Sequence, residues 1–192
     1  MIYMAKKYEF RPDKTGNGIL SKLYLTAAQR RTILKWTMYA ALLLLLSLMQ
    51  DVVLSKVRLL GATTDLVPCA IILICILEEA HKSAIFTLIA SCLFLFSGGA
   101  PGPYCLVFVT ALALMASLLR QNYLAKRFSS AMVCALAAYV LYELLTFAMG
   151  LFLNHTNFSR LQGFVITILL SLPAFPILYP VCVSIGGKVW KE

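Results

Sequence analysis

Acidic side chains and histidines are scarce in this chain: eight Asp and Glu and two His among 192 residues, with charged residues of both signs making up only 13%. So low a charged fraction, beside 61% hydrophobic residues and a mean hydropathy of +0.85, excludes an ordinary soluble domain. His81 and His155 each stand alone in a turn, without a partner for catalysis or for zinc. No nucleophile elbow, phosphate-binding glycine loop, HExxH motif or pair of catalytic carboxylates is found, so the chain reads as non-enzymatic, with no cofactor and no metal. Six cysteines, Cys69, Cys75, Cys92, Cys105, Cys134 and Cys182, form no CxxC pair and lie in or beside apolar stretches, which reads as small buried hydrophobes.

What the chain does have is six apolar stretches: Thr32 to Met49, Leu66 to Leu77, Ser83 to Phe96, Tyr104 to Leu119, Ser130 to Leu153 and Leu161 to Gly186. A helix crossing a bilayer needs about 20 residues, and two of these are short. With the N-terminus cytoplasmic and every stretch crossing, the cytoplasmic side holds Lys6, Lys7, Arg11, Lys14, Lys22, Arg30, Arg31, Lys35, Lys82, Arg120, Lys126, Arg127, Lys188 and Lys191. Only Lys56, Arg58 and Arg160 remain outside, fourteen cations against three. Cytoplasmic loops accumulate positive charge, so the expectation is an all-α, polytopic membrane protein of six transmembrane helices with both termini cytoplasmic.

The expected organisation is a basic cytoplasmic or interfacial segment over 1–31, a transmembrane domain over 32–187 and a short cytoplasmic tail over 188–192. The first segment is too polar and too long for a secretory signal, so the first apolar stretch reads as a retained anchor. Apolar and basic residues mix from Ile19 to Trp36, as in a helix lying at the interface, although a disordered basic tail has the same composition. The net charge of +9 points to anionic lipid headgroups rather than nucleic acid, because the cations flank apolar segments without interleaved aromatics. The tripeptides Asn154-His155-Thr156 and Asn157-Phe158-Ser159 match glycosylation acceptors, but a loop of a few residues against the membrane makes chance the better account.

Polar groups inside the apolar stretches carry more information, since an ionisable side chain in hydrocarbon costs several kcal/mol unless paired or solvated. Glu143 stands near the middle of the fifth stretch, and at helical spacing it shares a face with Ala135, Tyr139, Thr146 and Gly150. That face must point into the bundle, either as a protonated carboxyl hydrogen-bonded for packing or as a ligand or partner site. Small residues at four-residue spacing, Ser83, Thr87 and Ser91 and then Ser130, Cys134 and Ala138, allow close helix approach. Pro173, Pro176 and Pro180 should kink or loosen the sixth stretch. Only twelve uncharged residues separate Asp65 from Glu78, so this segment must thin the bilayer or keep its end charges in protein-lined polar pockets. Glu78, Glu79, His81 and Lys82 read as a solvated cytoplasmic turn, and residues 97–104 as an uncharged Gly- and Pro-specified turn on the other side.

Taken in order, several features resemble the bacterial rod shape-determining protein MreD family. These are the basic tail, a Leu-rich first helix ending in Gln50, the stretch with Leu59-Leu60-Gly61, Asp65-Leu66 opening a short second helix, the Gly-rich turn into Tyr104 and the Leu172-Pro173 region. The likeness covers roughly residues 35–187. It departs from the family in having Thr64 where a proline often precedes the aspartate, and Ser83, Ala84, Ser91 and Leu95-Phe96 in place of a glycine-rich third helix ending in aspartate. The resemblance implies a multi-pass protein of the bacterial cytoplasmic membrane, a scaffold for cell elongation and lateral peptidoglycan synthesis. Its implied partners are an MreC-like protein, the MreB filament system and peptidoglycan synthases. The family is also similar in architecture to the substrate-binding S components of energy-coupling-factor transporters, which makes vitamin or small-molecule uptake the alternative. The candidate interaction or buried polar residues are Asp65, Tyr139, Glu143, Thr146, Pro173, Pro176 and Pro180.

Overall fold

Every apolar stretch becomes helix, and no strand occurs among the described residues of the computed structural model, which are 27–54, 56, 64–123, 127–157 and 160–186. The helices are α1 (Ala27–Leu48), α2 (Leu66–Leu77), α3 (Ala80–Phe96), α4 (Tyr104–Tyr123), α5 (Phe128–Phe152), α6 (Leu161–Ser171) and α7 (Ala174–Gly186). Residues 1–26 of the basic segment, including the start of the interfacial helix, lie outside the described residues, as do Leu59-Leu60-Gly61, Lys126 and the tail 188–192. The chain divides into two compact units, 1–34 and 35–192. In the first, the described residues are the opening turns of α1, where Ile33 and Leu34 are exposed.

In the second unit α2 is the axis. Each residue from Val67 to Ile76 is buried, so the helix is enclosed on all sides rather than along one stripe. Residues uniformly apolar around a helix mark a core position. The bulky Ile71, Ile72, Leu73, Ile74 and Ile76 fit there because the helices packed on α2 offer small side chains. Ser83, Thr87 and Ser91 are buried on α3, Ala113, Ala116 and Ser117 on α4, and Ala131, Ala135 and Ala138 on α5. Such residues let helix axes approach, which multiplies the dispersion contacts between the helices. α3, α4, α5 and α7 all pack on α2, and α1 adds the stripe Tyr39, Leu43, Leu46 and Gln50 to the buried set.

The exterior is apolar. Ile85, Leu88, Ile89 and Leu93 on α3, Met115, Leu118 and Leu119 on α4, and Val133, Leu141 and Leu144 on α5 all face outward. Three helical stretches, Arg31–Leu54, Tyr104–Tyr123 and Phe128–Phe152, are long and apolar enough to cross a membrane. α6 and α7, bent by 40° at their junction, make a fourth if they form one span. α2 and α3, at 12 and 17 residues, fall short by length alone. The architecture is therefore all-helical with three to four candidate spans by length and composition.

The turns follow local backbone chemistry. Past the last turn of α3, Gly98 takes a φ of +79°, a left-handed conformation that glycine adopts without penalty. Past α5, Asn154 (φ 55°) takes the left-handed position, and the amides of His155 and Thr156 both reach the Gly150 carbonyl, at 2.9 and 3.2 Å. The bend of the last segment falls at Leu172-Pro173 rather than at all three prolines. Pro176 lies in the first turn of α7, where an amide hydrogen has no intrahelical partner, and α7 continues through Pro180.

Candidate functional site

At the N-terminal end of α2 the structure gathers polar side chains from four elements. Where α1 ends, the chain widens into a π-helical turn, Met49–Leu54, which directs Gln50 inward while Asp51, Val52 and Val53 stay exposed. The Gln50 Oε1 accepts hydrogen bonds from the backbone amides of Leu66 and Val67, at 3.0 and 3.1 Å. These are first-turn donors of α2, with no carbonyl of their own helix to bond. Gln50 therefore does what an N-cap side chain ordinarily does. Asp65, which occupies the N-cap position, makes no side-chain capping bond.

Released from capping, the Asp65 carboxyl turns to other partners. Its Oδ1 lies 3.4 Å from Gln50 Nε2, and its backbone amide donates to Ser171 Oγ at 3.1 Å. Burial pushes the Asp65 carboxyl above the usual carboxylate range. Glu143 is 3% exposed, and Tyr139, one turn earlier on the same face of α5, is fully buried. Among the described residues, neither Glu143 Oε1, nor the Tyr139 hydroxyl, nor Thr146 Oγ1 completes a hydrogen bond. Tyr139 is held edge-on to Phe175 of α7, with ring centroids 5.6 Å apart, so its hydroxyl is aimed by packing.

A second polar knot closes the other end of α2. The Arg120 guanidinium, on α4 and only 3% exposed, donates to the Ile76 carbonyl at 2.7 Å. Gln121 Nε2 donates to the Glu78 carbonyl at 2.9 Å. A cation at the carbonyl end of a helix satisfies orphan acceptors and complements the helix dipole. Beside it, Glu78 forms an ion pair with Lys35 and accepts from the Tyr39 hydroxyl at 2.8 Å, while that hydroxyl also lies 3.1 Å from the Cys182 carbonyl. Glu78 is thus drawn into the bundle instead of standing in a solvated turn. Glu79 and Lys82 keep the expected exposed character and pair with each other across one helical turn.

Of the residues singled out in the sequence, Tyr139, Glu143 and Thr146 share a single buried face of α5, and Asp65 occupies the N-cap of α2, the helix on which α5 packs. Pro173, Pro176 and Pro180 are exposed and take no part in the cluster. Sequence reasoning passed over Gln50 and Ser171 as site residues, and counted Arg120 among solvated cytoplasmic charges, although it is buried against α2. The available signal was positional: a glutamine closing one apolar stretch and an aspartate opening the next. Among the described residues no group of three or more His, Cys, Asp and Glu side chains converges as a metal site. The cysteines are free, and Cys69, Cys75, Cys105 and Cys182 are buried.

No protein-family model, curated protein or solved structure matches the chain.

Proposed function

We propose that this protein is a non-enzymatic integral membrane scaffold of the bacterial cell-elongation complex, acting through contacts with other membrane proteins as the MreD-like features of its sequence imply. In this reading the chain crosses the cytoplasmic membrane six times with both ends inside, α6 and α7 forming one bent crossing. The observation that carries the scaffold reading is how the polar side chains around α2 are used. The buried Gln50 and Arg120, the partly buried Glu78 and the exposed Gln121 fasten the ends of α2. What the bundle offers to its surroundings is apolar helix faces, suited to lipid and to neighbouring helices. The charge asymmetry of the loops supports the orientation, and enclosure of α2 explains how so short a segment can lie in a bilayer.

Depletion in a rod-shaped host tests the reading directly. Cells should round or widen without acquiring a nutrient requirement, and photo-crosslinkers at exposed positions such as Leu44 and Ile85 should capture a membrane protein of the wall-elongation machinery. On a cysteine-free background, a probe at Gly99 should be labelled from outside and one at Lys126 only after permeabilisation. Rescue by a single vitamin with cell shape unchanged would replace the scaffold with the S-component alternative, and reversed labelling would overturn the six-crossing topology.

A further inference from the structure

The outer face of α3 is apolar over less length than a bilayer core. From Ser83 to Phe96 its exposed residues are Ile85, Leu88, Ile89, Leu93 and Phe96, all large and apolar. On one side the exposed His81 and the Glu79–Lys82 ion pair end this face, and on the other the exposed Ser97 and Gly98 begin the uncharged turn 97–103. Fourteen residues, 83–96, therefore carry it. At 1.5 Å per residue they span about 21 Å, against roughly 30 Å of hydrocarbon. Tilting the helix shortens its projection on the bilayer normal, so tilt widens the gap instead of closing it.

The other lipid-facing helices are not short. α4 has 20 residues and α5 has 25, about 30 and 38 Å, and both expose large apolar side chains, Met115 and Leu118 on α4 and Leu141 and Leu144 on α5. The shortfall is thus local to α3. What covers it follows from how the side chains of α3 are sorted. Its small residues Ser83, Thr87, Ala90 and Ser91 are buried in the bundle, where they permit close helix approach. The exposed side keeps only bulky side chains, which suit acyl chains better than a close-packed helix. The two ends also differ. Lys82, whose ammonium pairs with Glu79 at 2.7 Å one turn nearer the helix N-terminus, directs its stem toward the headgroups and covers part of the gap on that side. Residues 97–103 offer no charged side chain that could do the same, so the remainder falls on the leaflet at the Phe96 end.

We propose that the outer face of α3 binds phospholipids with short acyl chains, drawing the bilayer into a thin collar there while it keeps its ordinary thickness beside α5. The inference rests on the membrane reading above and not on the partners proposed with it.

The test uses the full chain, isolated so that no partner stands at Ile85, in phosphatidylcholine vesicles. A tryptophan replaces Leu88 on α3 or Leu141 on α5, each half exposed, with Trp36 and Trp190 changed to Phe. Quenching by dibrominated phosphatidylcholines of myristoleoyl, oleoyl and erucoyl chain length gives the relative binding of short, medium and long lipids at each face. With Leu88→Trp the short lipid should bind about threefold or more tighter than the long one, and with Leu141→Trp it should hold no advantage. Trp36 guards against a folding defect in either variant: its ring lies 5.0 Å from that of Phe86 on α3, and with only Trp190 replaced it should report the short-chain preference. The same ordering at both faces, or a preference for long chains at α3, would overturn the proposal and leave the membrane reading standing. Quenching of Leu141→Trp but not of Leu88→Trp would overturn it by showing a second copy of the chain on α3. Quenching at neither face would overturn the membrane reading as well.

Discussion

Replacing Gln50 by Leu keeps the volume of the side chain and removes both of its roles at the head of α2. The amides of Leu66 and Val67, now 3.0 and 3.1 Å from Gln50 Oε1, would face a methyl group in a largely buried site. A buried donor left without an acceptor costs about 1–3 kcal/mol, so the pair sets an upper range of roughly 2–6 kcal/mol. Interhelical hydrogen bonds in membrane bundles have measured nearer ~0.6 kcal/mol each, because the separated helices find other partners. Two bonds and the weaker Asp65 contact at 3.4 Å then place the expected loss at about 2–4 kcal/mol. Hydrogen exchange reads this site by site: the amides of Leu66, Val67, Cys69 and Ala70 should exchange roughly 30- to 1,000-fold faster, while those of α4 change little if the opening is local. Gln50→Glu retains the acceptor but no longer donates to Asp65 and places a second acid beside it, so it should fall between Leu and wild type at neutral pH. Slow exchange at residues 66–70 in Gln50→Leu, with unaltered unfolding, would refute Gln50 as the cap of α2.

Two other substitutions probe the same framework. Glu143→Gln should keep the protein folded in the membrane, because the amide preserves shape and hydrogen bonding, whereas Glu143→Lys puts a cation into an enclosed site and should cost about 3–5 kcal/mol, seen as loss of folded protein in size-exclusion profiles. At the other end of α2, a Cβ on Gly186 would lie 2.9 Å from the Tyr39 hydroxyl and 3.3 Å from Glu78 Oε1, so Gly186→Ala should destabilise by about 1–3 kcal/mol. Tyr39→Phe in that background should restore part of the loss, which a double-mutant cycle on unfolding free energies measures.

Helix positions were legible in the sequence, and their neighbours were not. The stretch Leu66–Leu77 is bounded in the structure as its flanking charges predict, and the face of Glu143, Tyr139 and Thr146 is buried as helical spacing requires. Periodicity also foretold the packing of Ser83, Thr87 and Ser91. By contrast, Lys35 and Glu78 are 43 residues apart, and nothing local to either predicts their pairing. Arg120 shows why a charge count sees only part of the picture. Its place near the end of an apolar stretch fits a solvated residue, but the stem runs back toward α2 and the guanidinium caps the Ile76 carbonyl. The prolines were over-read for a related reason: a kink depends on whether the missing amide hydrogen had a partner to lose, which at Pro176 it did not.

The central position of α2 joins these observations. A 12-residue helix spans about 18 Å, against roughly 30 Å of hydrocarbon, and if it faced lipid, its terminal amides and carbonyls would lie in apolar surroundings. Enclosure changes that requirement from matching the bilayer to matching the neighbouring helices. Gln50 supplies the acceptor at one end and Arg120 and Gln121 supply donors at the other, so the ends of α2 are solvated by protein. Gln50 lies in the π-helical turn that continues α1 and the other two lie on α4, and both of these helical runs are longer than α2. The short segment and the buried charges of this sequence are thus two parts of one solution: a core helix short enough to be enclosed needs polar caps inside the bundle, and Gln50 and Arg120 provide them.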